Sequence, residues 1–163
     1  MASDFTVIQA VRQRFGAPSD ATREFSVDWN APFVGQSKQF PFTCPNVVST
    51  EWAILQFETV GVDSGRLGRD DPLRQNPSTA ILRINGVDIP GGIKAGPTYK
   101  FDNQHYPIWK SHALLVPQNT LKEQNVLHIE AVTIGFGAID EFVLDNVFVQ
   151  FKTASGLRVI DPR

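Results

Sequence analysis

An all-β domain is the fold class this sequence predicts, and three observations carry the prediction. Apolar and polar residues alternate with a period of two in one segment after another. Glycine and proline punctuate the gaps between those segments, and a clean helical stripe is nowhere found. Many short strands separated by such turns describe an antiparallel β-sandwich of jelly-roll type with about eight strands. The 163 residues fit one domain covering 1–163. A domain of that size buries roughly 70% of its unfolded surface and needs neither disulfide nor metal to hold it.

Each element can be justified in chain order. Residues 1–20 read as an N-terminal strand or extension. A helix through "FTVIQAVRQRFG" would align Phe5, Ile8, Gln9 and Arg12, which is no apolar stripe, whereas Thr6, Val7 and Ile8 are β-branched and favour a strand. "REFSVDW" alternates Phe25, Val27 and Trp29 against Ser26 and Asp28. "KQFPFTC" puts Phe40 and Phe42 on one face, with Pro41 marking an edge or a strand end. "EWAILQFETV" is apolar on both sides and reads as a central strand. "TAILRINGVDI" runs into Asn85-Gly86, the dipeptide that best supplies the positive φ angles of a type I′ hairpin turn. "SHALLVP" is a short strand ending at Pro117. "NVLHIEAVTI" and "EFVLDNVFVQF" are the last two long strands, flanking "GFGAID", whose glycines permit a tight reversal. Residues 153–163 form a C-terminal tail.

The last strand contains an irregularity. Val147, Val149 and Phe151 share a face, and strict alternation backward would place Asp145 and Val143 inside and Phe142 and Leu144 outside. One extra residue at Asp145-Asn146 resolves the conflict, because a bulge shifts the register by one and returns Phe142 and Leu144 to the core. Both residues tolerate non-β backbone and can bond nearby amides.

Composition excludes several function classes. The formal charge of −2 is spread evenly, with no basic patch for a phosphate backbone, so nucleic acid is not an expected partner. No stretch approaches the roughly 20 apolar residues of a membrane helix. The N-terminus carries Asp4, Arg12 and Arg14 and lacks the form of a secretory signal. The expected location is therefore cytoplasmic, or outside by a route without such a signal. The single cysteine, Cys44, can make no internal disulfide. The histidines, His105, His112 and His128, show no metal-ligand spacing; His128 and Glu130 share the polar face of a strand whose inner face is Leu127, Ile129 and Ala131. There is no Gly-x-Ser-x-Gly elbow. No catalytic motif stands out, and a non-enzymatic role without a cofactor is expected.

Function is to be sought in two long connections. Residues 90–110 interleave Tyr99, Phe101, Tyr106 and Trp109 with Lys100, Asp102, Asn103, Gln104 and His105. Flat aromatics and fixed polar groups are what a sugar requires, stacking for its ring faces and hydrogen bonds for its hydroxyls. The candidate ligand-binding set is Tyr99, Asp102, Asn103, Gln104, His105, Tyr106 and Trp109. A plainer reading has the aromatics fold the loop back onto the sheets and the polar residues form turns. Residues 61–78 carry Asp63, Asp70 and Asp71 beside Arg66, Arg69 and Arg74. The three carboxylates could cradle calcium, but the arginines compete for them, and Arg66, Arg69 and Arg74 form an alternative partner-docking loop.

The segment "NTLKEQNVLHIEA" resembles the entry to an inner strand in galactose-binding-like β-sandwiches, which reads roughly Leu-x-x-Gly-x-Asn. The matching positions are Leu121, Asn125, Val126, Leu127 and Ile129, with Glu123 or Gln124 in place of the family glycine. "RINGVDIPGG", "WKSHALLVP" and "EFVLDNVFVQFK" are similar to segments of small prokaryotic single-domain proteins with that fold. The likeness spans residues 81–152. It implies a carbohydrate-binding-module-like sandwich with ligands held by loops at one end. The leading expectation is thus a lectin-like binding module. The alternative is a structural or assembly protein that forms homo-oligomers or docks into a larger complex through exposed strand edges and the arginine-bearing loop.

Overall fold

The computed structural model describes residues 1–17, 31–62, 80–135 and 138–154. These contain strands and no helix: β1 (Ala2–Gln9), β2 (Gln13–Phe15), β3 (Phe33–Gly35), β4 (Ser37–Thr43), β5 (Ala53–Val60), β6 (Ala80–Ile84), β7 (Val87–Asp88), β8 (Thr98–Phe101), β9 (Gln104–Pro107), β10 (Lys110–Val116), β11 (Gln124–Ala131), β12 (Thr133–Gly135), β13 (Ala138–Ile139) and β14 (Phe142–Thr153). "REFSVDW" and most of residues 61–78, with Asp63, Arg66, Arg69, Asp70, Asp71 and Arg74, lie outside the described residues, as do residues 155–163 of the tail.

Two antiparallel sheets dominate. One runs β10-β5-β14-β2-β3, with β1 also paired to β14; the other runs β4-β11-β6-β7. The pair β2–β3 is the parallel exception. β14 is long enough to take two neighbours on one side, β2 along Phe142–Leu144 and β1 along Val147–Thr153, while β5 lines the other side. β5 is central, as its apolar composition predicts. Pro41 sits in β4, an edge strand, where a missing N–H breaks no ladder.

Period-two alternation turns Phe40 and Phe42 of β4, Leu82 and Ile84 of β6, and Leu127 and Ile129 of β11 toward Leu55 and Phe57 of β5 and Val147, Val149 and Phe151 of β14. All belong to one buried cluster, an arrangement consistent with a β-sandwich. Phe15 ties the layers together, stacked on Phe142 at 5.2 Å within its own sheet and meeting Phe40 of the other sheet at 6.4 Å. Each such ring or leucine contributes about 1.5–3 kcal/mol by leaving water.

The bulge in β14 is present. Asp145 pairs with Glu58 but Phe148 with Gln56, so one residue is inserted opposite β5, and Asn146 takes it up with φ 50°. Phe142, Leu144, Val147, Val149 and Phe151 all reach the core as a result. The Asn85-Gly86 turn joins β6 to β7 with φ 52° and 82°, the type I′ pattern. Asn85 also donates to the Thr120 carbonyl and to Asn125 Oδ1, both at 2.8 Å, and accepts from the Val126 amide. Asn125, buried, accepts from the Lys122 amide and donates to its carbonyl. The residue on which the sequence resemblance turns is therefore a staple joining two loops at the end of the four-stranded sheet.

The "GFGAID" reversal is more limited than the sequence suggests. It closes only the small hairpin β12–β13, and the long strands on either side of it belong to different sheets.

The two outward faces differ. On the four-stranded sheet the outward positions include Arg83, ion-paired with Asp88 at 2.5 Å, and His128, bonded to Glu130 at 3.2 Å. On the six-stranded sheet the register aligns Leu115, Ile54, Gln150 and Phe5 in one row and Ala113, Gln56, Phe148 and Val7 in the next. Neither row holds a charge, and Phe5, Val7 and Leu115 are 65%, 55% and 56% exposed.

Candidate functional site

Residues 90–110 are not a structureless loop. Residues 98–107 form the hairpin β8–β9, with Tyr99 opposite Tyr106, Lys100 opposite His105 and Phe101 opposite Gln104. Asp102 and Asn103 make its two-residue turn with φ 47° and 59°. Asp and Asn are the non-glycine residues that enter this region most readily, which explains their place here. Both are therefore turn formers first, and the plainer sequence reading holds for them.

The aromatics divide between two settings. Tyr99 and Tyr106 stack on each other at 5.2 Å. Phe101, two residues from Tyr99, shares its face by alternation and is 67% exposed. The hairpin thus presents three rings on one face. Its base is clamped: the Ile108 amide donates to the Pro97 carbonyl, and Lys110 Nζ to that of Ala95, each at 2.9 Å. Gly96 passes so close that a Cβ there would lie 2.9 Å from the Ile108 carbonyl oxygen.

Trp109 belongs to a second group. The Arg12 guanidinium lies over its ring at 5.1 Å, and Arg12 Nε donates to Asp145 Oδ2 at 3.0 Å. Asp145 Oδ1 accepts from the Asn146 amide, Asn146 Nδ2 donates to Glu58 Oε2, and Ser111 Oγ donates to Glu58 Oε1. A polar row thus crosses β10, β5 and β14 just beyond the two apolar rows. Arg12, Glu58, Ser111, Asp145 and Asn146 were not among the candidate ligand residues; only the bulge signal at Asp145-Asn146 pointed to them.

Register places these features at one end of the large sheet. Lys110 is level with Thr59, Val143 with Val60, and Arg14 with Val143. The hairpin and the connection that follows Val62 therefore leave from the same end. Of the seven candidate residues, Tyr99, Asp102, Asn103, Gln104, His105 and Tyr106 are on the hairpin, while Trp109 faces the polar row.

The remaining chemistry-bearing groups are scattered. His112 is buried, stacked on Phe57 at 4.6 Å and hydrogen-bonded to Thr59 at 2.8 Å. Burial, and then the charge of Lys110, pushes its pKa down to about 4, so the ring is neutral near pH 7. Cys44 is buried and its pKa is pushed up to about 12, first by burial and then by Asp4, which keeps the thiol protonated. Among the described residues no group of three or more His, Cys, Asp or Glu side chains is placed to hold a metal ion. No helix among them is long and apolar enough to cross a membrane.

Comparison with known proteins finds no matching family, no matching curated protein and no matching solved structure.

Proposed function

We propose that this protein is a non-enzymatic carbohydrate-binding module of the galactose-binding-like, jelly-roll class, and that the aromatic face of the β8–β9 hairpin receives the sugar. The observation that carries this reading is the aromatic face formed by exposed Tyr99 and Phe101 with half-buried Tyr106, on a hairpin clamped at its base. Rings already stacked and anchored lose little freedom on binding, which suits a ligand held by ring-face contacts. Strand order supports the fold assignment. Leaving aside the short hairpins and β2–β3, the remaining described strands run β1-β14-β5-β10 in one sheet and β4-β11-β6-β7 in the other, so successive strands change sheets, except across the β6–β7 turn, as in a jelly roll. The hairpin also leaves from the end of the large sheet where a long connection follows Val62, as a loop-borne site would.

The test is a broad glycan array with the wild-type protein and Tyr99→Ala, Phe101→Ala and Trp109→Ala. The expected result is selective binding that both hairpin variants abolish while remaining folded by circular dichroism. Trp109→Ala should weaken binding less, because Arg12 already covers one face of that ring. A blank array, or variants that bind as well as wild type, would overturn the reading.

A further inference from the structure

The outward face of the six-stranded sheet has the character of an interface. Its two central rows are uncharged and mainly apolar, whereas the outward face of the other sheet carries the Arg83–Asp88 ion pair and the His128–Glu130 hydrogen bond. Contiguous exposed apolar surface of this kind marks a contact site. The page also says what fits it. The only polar side chains in the rows are Gln56 and Gln150, and an amide both donates and accepts, so a like face can satisfy it. No charge would be buried in the middle. The charges stand at the two ends, and their signs are opposite. Lys152, bonded to Ser3, lies one row beyond Gln150, while Glu58 and Asp145, the latter paired with Arg12, lie beyond Gln56.

A two-fold axis lying in the face and running across the strands reverses strand direction and lays the basic end of one copy over the acidic end of the other. It also closes the assembly at two copies. We propose that a second copy of this chain covers this face, forming a face-to-face antiparallel dimer. The rows span four strands and, with the charged ends, about six residues of strand length, a flat footprint of roughly 15 by 20 Å. That is about 300 Å² before side-chain relief, well below the ~800 Å² that each partner gives to a standard interface. The dimer is therefore weak and rapidly reversible. No residue of the β8–β9 hairpin lies in these rows, so this inference stands apart from the carbohydrate reading.

The test is sedimentation equilibrium across a wide concentration range. Wild type should pass from monomer to dimer. Phe5→Asp and Leu115→Asp, at exposed positions that the fold does not need, should each weaken the dimer by roughly a hundredfold by placing a charge in the apolar rows. Lys152→Glu and Glu58→Lys should each weaken it about tenfold, and the double variant should recover most of the loss, because in the two-fold arrangement it merely exchanges the signs of the two ends. A wild type that stays monomeric to millimolar concentration overturns the proposal, including one that instead binds lipid vesicles. So does a dimer indifferent to Phe5→Asp and Leu115→Asp, or a double charge variant no tighter than its parents.

Discussion

The outward face of the four-stranded sheet carries Arg83 with Asp88 and His128 with Glu130, while the six-stranded sheet turns Phe5, Val7, Phe148 and Leu115 outward. Both sheets bury their other face in the same core, so stability does not require the difference. A solvated face alternates apolar and polar, as β11 does with Leu127, His128, Ile129 and Glu130. β5 and β1 do not follow that rule, since Ile54, Phe5 and Val7 point away from the core. Their apolar character points to what the face meets in association, not to how the domain folds. Charge returns to the large sheet only at its ends, where the Asp145-Asn146 bulge begins the polar row.

The comparison can be broken most severely at that bulge. Leu144→Asp and Val147→Asp, on either side of the extra residue, each put an unpaired carboxylate into the buried cluster. The expected loss is comparable with the roughly 5–15 kcal/mol that holds a typical domain together, and these variants should yield no folded protein by circular dichroism, whereas deletion of Asn146, which leaves β14 in simple alternation with the same residues inward, should stay folded.

A smaller effect comes from the buried side of the same sheet. His112 has a folded pKa of about 4 against an ordinary value of 6.5. Between these values the unfolded chain binds a proton that the folded one refuses. Stability therefore falls as pH drops from 6.5 toward 4, by up to about 3 kcal/mol. Urea midpoints measured across this range should fall for wild type and fall markedly less for His112→Phe. Equal slopes would mean that His112 is not the group responsible.

Smaller again is the polar row. Asp145→Ala removes the acceptor for Arg12 and for the Asn146 amide and should cost about 1–2 kcal/mol in chemical denaturation. No change would show that the row does not brace the bulge.

The least effect on stability, and the most direct comparison of the two faces, comes from Leu115→Ser and Val126→Ser. Both residues are exposed on an outward face, and each substitution should alter stability by no more than about 0.5 kcal/mol. Only Leu115→Ser should reduce binding of a hydrophobic dye and raise solubility. Equal behaviour of the two variants would erase the distinction between the faces.

Strand positions were legible because a period of two is a local property. The same holds for Asn85-Gly86, which states its own backbone angles, and for the bulge, which shows as a break in alternation within one strand. Which strands become neighbours was not legible. β11 and β14 flank a glycine-rich reversal yet lie in different sheets, since alternation reports which face is buried and not what lies alongside. The hairpin β8–β9 was passed over because Asp102-Asn103 lacks the glycine of the strongest turn signal, although Tyr99, Phe101 and Tyr106 keep the right spacing. The polar row was invisible for a different reason. Arg12 and Asp145 are 133 residues apart and meet only through sheet pairing. The part of the site read from sequence is the part that is local, the aromatic hairpin.

The pairing of β1 with β14 has a consequence in time. Ser3 and Lys152 are 149 positions apart and hydrogen-bonded. The first strand made must wait for the last before it has a neighbour in its sheet. Until then β5 lacks its β14 partner, and Phe5 and Val7 stand on an unpaired strand. Folding dominated by such distant pairings is slow, and transient open edges and apolar faces at that stage are where chains aggregate. During synthesis this chain therefore passes through an interval in which it depends on being kept apart from its own copies, the same species that the proposed dimer would bring against its finished outward face.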